Sequence, residues 1–343
     1  MKPAVSLDAY HAVRHGAAII DRADRGRIVV SGGDRASYLH GLLTNDVLAL
    51  RQGSGCYAAY LTPQGRMIAD MWLYELGDAI LMTLSRDVKD LVLAKLDQFI
   101  FTEDVQLGDL TEAYSSMALV GPLVPAVLAR ALAASEAALP LAEHGNVRLP
   151  FDGEPAIITR VTDPGEAGYD VCVPAPAMGR LRERLRMLNV GEVDDATAEA
   201  VRIEAGVPRF HRDMNEETIP LEAGIESRAI SLTKGCYVGQ EVIIRVLHRG
   251  HGRVARKLAG LVFTSDEVPE IGAQVQAQGR PVGSITSSAW SPSLERGIAL
   301  GYLHRDVLSP GTVVEVGGVP GEVVALPFLK LRDDRTTSRQ VTR

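Results

Sequence analysis

Along the N-terminal third of the chain, hydrophobic positions alternate with polar ones in short runs. In GRIVVSG (26–32) an apolar run bounded by glycines predicts a strand, and GDRASYLHGLLTNDV reads as a short helix with Asp34 at its N-cap and Asn45 near its end. CYAAYLT, RMIADMWLYEL and AILMTLS predict consecutive antiparallel strands separated by the turn signals PQG and GD. In SRDVKDLVLAKLDQFIF, Val88, Leu91, Val92, Leu96 and Phe99 recur at helical spacing behind a Ser85 cap. The order is that of an α+β protein rather than a strict β–α alternation.

Further on, VPAVLARALAASEAAL predicts a helix by propensity, and AIITRV and YDVCVP predict strands. MGRLRERLRML puts Met178, Leu181, Leu185 and Leu188 on one helical face with arginines opposite and Gly191 beyond its end. DDATAEAVRIEAG carries an aspartate cap and stops at Gly206, before Pro208. After about residue 255 the pattern changes to LAGLVF, AQVQ, GSITSSAW, GIALGYL, TVVEV and GEVVAL, spaced by Gly and Pro, as in a small β-barrel or sandwich. The final RDDRTTSRQVTR has almost no apolar residue and reads as a disordered tail over 331–343.

Composition narrows the classes. A chain of 343 residues with 46% hydrophobic and 23% charged residues is long enough for two or three cores. No apolar run approaches the roughly 18 residues needed to cross a bilayer. MKPAVSLDAYHAVRHG lacks the continuous apolar region of a secretory signal, so a cytoplasmic location is expected. Cys56, Cys172 and Cys236 form no CxxC pair, which argues against a disulfide framework and against an intrachain zinc or iron–sulfur site. The net charge of −7 disfavours general nucleic-acid binding. One basic stretch, RVLHRGHGRVARK, gathers Arg245, Arg249, Arg253, Arg256 and Lys257. It fits either an anionic ligand tail or partner, or a solvated loop. His248 and His251 lack a third metal ligand, and P-loop, Rossmann and G-x-S-x-G patterns are absent.

TKGCYVGQE (233–241) raises a chemical question. If YVGQEVIIRVL opens a helix, Cys236 sits at its positive end beside Lys234, and both favour a nucleophilic thiolate. The same residues also suit a strand, which leaves only the lysine, and free cysteines are more often inert core residues. KGCYVGQE resembles the signature of the YgfZ-type folate-binding proteins, which act in iron–sulfur cluster assembly and repair. These share a fold with the T-protein of glycine cleavage, a tetrahydrofolate-dependent aminomethyltransferase. LLTNDVLALRQGSGCYAAYLTPQGRMIADMWLY, RIEAGVPRF, IPLEAGI and GSITSSAWSPSLERGIALGYL resemble family segments in the expected order.

The resemblance implies a three-lobed aminomethyltransferase-like fold, with two interleaved α/β lobes over residues 1–250 and a C-terminal β-barrel over 251–330. It implies tetrahydrofolate as the ligand, iron–sulfur client enzymes or assembly proteins as partners, and Cys236 with Lys234 as the reactive pair. In RVTDPGEAGYD, Glu166 falls at the family's pterin-binding acid, and in RIEAG, Arg202 and Glu204 fall at residues directed toward a central channel. The aminomethyltransferase carries adjacent acids where this chain has Ala69 followed by Asp70. That departure argues against glycine-cleavage activity and leaves Asp70 either beside folate or on a solvent face. The competing expectation is a folate-dependent aminomethyltransferase or demethylase in which Cys236 is structural.

Overall fold

The computed structural model describes residues 5–248 and 252–330. The expected disordered tail, and Arg249 and His251 of the basic stretch, lie outside the described residues.

The chain begins in one sheet, crosses to a second, and returns. Helix Leu7–His15 leads into strand Ala18–Asp21, which pairs with Tyr114–Val120 and Gly191–Glu192. That six-stranded sheet is completed in order by Gly168–Pro174, Glu154–Val161 and Asn146–Phe151. Between its first two long-range partners, the segment from Arg25 to Asp109 builds a separate five-stranded antiparallel sheet, ordered Gly55–Leu61, Met67–Glu75, Ala79–Ser85, Arg25–Ser31 and Gln106–Asp109. Met67–Glu75 is buried at every position, because both of its faces are covered. Late in the chain Leu221, Ile225, Ile230, Tyr237 and Ile243 rejoin this sheet's core beside Leu61 and Met71.

Strands Arg256–Phe263, Arg296–His304, Arg280–Ser291, Gln274–Ala277, Val313–Val316 and Val319–Val324 close into a barrel, the last pairing with the first. Glycine and proline spacing signalled these strands; closure removes the exposed edges that short strands otherwise leave. Helix Asp195–Glu204 is wedged between the barrel and the six-stranded sheet. The Asp194 side chain accepts from Thr197 N at 2.9 Å, the expected cap. Ala200 and Ile203 pack on Leu258, Ile298 and Leu300 of the barrel, whereas Val201 packs with Val13, Ala18 and Val120.

Two caps differ from expectation. Asp34 and Ser85 occupy N-cap positions without a side-chain cap bond. Ser85 starts a single 3-10 turn, Arg86–Val88, before the α-helix Lys89–Asp97. Among the described residues no helix is long and apolar enough to cross a membrane.

Candidate functional site

A cavity of about 640 Å³ opens where the two sheets, the wedged helix and the segment after it converge. The connection between Ala18–Asp21 and Arg25–Ser31 supplies Arg22, the first position of strand Arg25–Ser31 supplies Arg25, strand Met67–Glu75 supplies Asp70 and Trp72, and the turn after Glu154–Val161 supplies Asp163. Asp70 and Trp72 share one face of their strand because side chains repeat every second residue.

These groups form a linked set. Asp163 accepts from Arg22 Nη2 and from Arg25 Nη2, both at 2.7 Å, and Arg22 Nε donates to Asp170 at 3.0 Å. Burial pushes the Asp163 carboxyl up, but the charges of Arg22 and Arg25 outweigh it and hold the group below its ordinary range. The Arg25 guanidinium lies 4.3 Å from the Trp72 ring centroid, and the Trp72 and Tyr57 rings are 4.9 Å apart. Tyr57 Oη donates to Asp70 Oδ2 at 2.8 Å. Asp70 is only 4% exposed, and burial raises its carboxyl despite the opposing effects of Tyr57 and Arg25. The reading of Asp70 as a solvent-face acid is therefore corrected. Ala69, on the opposite face, is wholly buried in the apolar core.

The expected folate residues separate. Arg202 lies at the cavity wall, but all five of its N–H donors are taken. Nε and Nη2 bind Glu199 at 3.0 and 2.5 Å, Nη1 binds Asp213 and the Val207 carbonyl at 2.7 and 2.5 Å, and Nη2 also binds Ser287 at 2.8 Å. Glu204 does not face this cavity, since residues two apart on a helix point to different sides. It is fully buried, accepting from Tyr10 Oη at 2.8 Å, Arg14 Nη2 at 2.5 Å, and Ser291. Glu166 faces a second cavity, of about 910 Å³, between helix Leu7–His15 and the barrel, where Arg14 Nη1 binds it at 2.6 Å. The intervening Gly165 has φ +97°, and a Cβ there would meet the Val201 carbonyl oxygen at 2.4 Å. The turn is thus pressed onto the helix, sending Asp163 into the central cavity and Glu166 out of it.

The cysteine loop lies elsewhere. Lys234 Nζ donates to the carbonyls of His40, Leu43 (2.6 Å) and Asn45 (3.1 Å), at the C-terminal end of helix Arg35–Leu42. Its ammonium, lowered to about 8 by burial, therefore pins the loop. Gly239 (φ +84°) presses against the hairpin after Gly55–Leu61, where a Cβ would sit 2.5 Å from the Thr62 carbonyl oxygen. Helix Gln240–His248 begins four residues beyond Cys236, and Lys234 Nζ is turned to backbone carbonyls. Cys236 is exposed, whereas burial raises the Cys56 and Cys172 thiols to about 12 and about 11. Among the described residues no cluster of three or more His, Cys, Asp and Glu side chains is arranged to hold a metal ion.

Arg22, Arg25, Tyr57, Trp72 and Asp163 escaped the sequence reading. The available signal was DRADRG, a charged run between two apolar strands.

The fold and its central, charge-lined cavity define a T-protein-like class. The GCVT N-terminal domain profile matches residues 3–234, and the glycine cleavage T-protein C-terminal barrel domain matches residues 256–330. The chain belongs to the glycine cleavage T-protein family. An aminomethyltransferase of Rubrobacter xylanophilus is 30% identical over 94% of this chain and 85% of its own length. An aminomethyltransferase of Streptomyces coelicolor is 30% identical over 93% and 88%. A putative chloroplastic transferase of Arabidopsis thaliana is 29% identical over 94% and 73%. The crystal structure of the glycine cleavage system aminomethyltransferase T from Bartonella henselae superposes with a TM-score of 0.86 at 24% identity, covering 95% of this chain and 90% of that one.

Proposed function

We propose that the central cavity binds tetrahydrofolate and that the protein carries out folate-dependent one-carbon transfer of the T-protein type. The observation that carries this reading is Asp70, a buried carboxyl with a raised pKa on the wall of a ligand-sized cavity, beside Trp72. A pterin presents a flat ring with adjacent N–H donors, which a carboxylate accepts, and its aromatic body suits the Trp72 wall. A group so tuned also takes up and returns a proton at a nitrogen held against it. The names of the relatives support the same chemistry.

Ala69 does not weaken this reading. Its side of the strand is buried in the core, so of two adjacent positions the chain keeps its acid at the one facing the cavity. Turnover is expected when the protein is supplied with tetrahydrofolate and the partner proteins of glycine cleavage. Absence of turnover despite folate binding would remove the transferase assignment and leave a folate-binding protein.

The second reading, tetrahydrofolate-dependent support of iron–sulfur enzymes, is favoured by one observation: Cys236 is exposed on a loop that Lys234 pins. Under the transferase reading Cys236→Ala changes folate affinity and turnover by less than about twofold, as expected of a surface substitution outside the cavity. Loss of iron–sulfur enzyme activity in cells carrying Cys236→Ala, with turnover intact, would establish the second role.

A further inference from the structure

Arg25 is held differently from the other cavity arginines. Its guanidinium lies 4.3 Å from the Trp72 centroid, and Nη2 donates to Asp163 at 2.7 Å. Nε is buried without a hydrogen-bond partner, and Nη1 meets no acceptor among the described residues. The side chain keeps 14% of its surface exposed on the wall that also bears Asp70. Arg202, by contrast, has spent every donor.

A charged donor fixed by stacking and by one carboxylate, with N–H capacity left over, is complementary to an acceptor on a bound ring. Asp70 on the same wall is complementary to a donor. We propose that Arg25 is a specificity-determining residue: it donates to a ring carbonyl oxygen while Asp70 accepts from the ring's N–H groups. The wall thereby selects 4-oxo-pterins over rings carrying an amino group at that carbon. The inference rests on the folate reading above and adds which face of the ring the protein distinguishes. An amino group in place of the carbonyl turns a donor toward a donor, and a site built to satisfy a polar group rejects the analogue that cannot supply it.

Calorimetric titration of the full chain with tetrahydrofolate and with its 4-amino analogue tests this. The unsubstituted protein is expected to bind the 4-oxo compound at least about tenfold more tightly than the 4-amino compound. Arg25→Met keeps an unbranched stem over Trp72 but no donor. It is expected to lose roughly tenfold or more in affinity for the 4-oxo ligand and to bind the 4-amino ligand about as before. Arg25→Lys retains the charge beside Asp163 but not the planar fork, and is expected to lose discrimination while melting close to the unsubstituted protein. Equal affinities in the unsubstituted protein, or equal weakening of both ligands in both folded variants, would overturn the inference and leave the folate reading standing. Binding of neither ligand by the unsubstituted protein would remove the folate reading, and this inference with it.

Discussion

Asp70→Asn is expected to weaken tetrahydrofolate binding by roughly 10- to 100-fold and to abolish most folate-dependent turnover, while leaving the fold intact or more stable. A hydrogen bond to a charged group contributes about 1.5–3 kcal/mol, and each 1.4 kcal/mol is a factor of ten in affinity. The amide can still accept from Tyr57, so the cavity wall keeps its shape; what disappears is the charge that pairs with the ring's N–H groups. Stability moves the other way. The folded protein holds the Asp70 proton more tightly than the unfolded chain does, because burial raises the carboxyl. Its contribution is neutral below both pKa values and becomes a cost as pH rises past the unfolded value. The Asn variant should accordingly melt higher than its parent at neutral pH and level with it near pH 3. Tetrahydrofolate affinity of the parent should rise with pH as Asp70 ionises, and that rise should vanish in the variant. Calorimetric titration across pH, with melting curves at the same points, measures both; unchanged affinity in Asp70→Asn would remove Asp70 from the site.

The barrel and four strands of the five-stranded sheet were legible because their signals are local: short apolar runs, with Gly and Pro marking the turns. Asp70 was visible as an acid inside RMIADMWLYEL, but strand periodicity alone does not say that both faces of that strand are covered. The site's remaining geometry depends on contacts between distant segments. Asp163 and Glu166 occupy one turn, and the approach of Gly165 to Val201 decides which acid enters the central cavity. Lys234 looked like an activator of the adjacent thiol because its partners, the carbonyls of residues 40–45, are remote in sequence. Arg22 sits in the turn joining two sheets and Arg25 at the first position of the strand that follows, where no hydrophobic period exists to announce a role.

Arg202 shows how a residue at a cavity wall can serve the scaffold rather than the ligand. It joins the wedged helix through Glu199, the following segment through Val207 and Asp213, and the barrel through Ser287. Asp213 is itself buried and accepts from the hydroxyls of Thr286 and Ser287 at 2.6 and 2.7 Å, where the register shift in strand Arg280–Ser291 falls. Removing the cation leaves a buried carboxylate with hydroxyl and N–H donors but no compensating charge. Arg202→Ala is therefore expected to destabilise the protein by about 3–5 kcal/mol. Arg202→Lys should recover only part of that, since an ammonium cannot span Glu199, Asp213 and Ser287 at once. The loss should concentrate where the barrel docks, seen as faster amide exchange in residues 195–213 and 280–291 than in the five-stranded sheet. The folded fraction of Arg202→Ala should still bind tetrahydrofolate within about threefold of the parent, because the arginine has no donor left to give a ligand. A stable Arg202→Ala protein that had lost folate affinity would reverse the assignment and return Arg202 to the ligand-binding set.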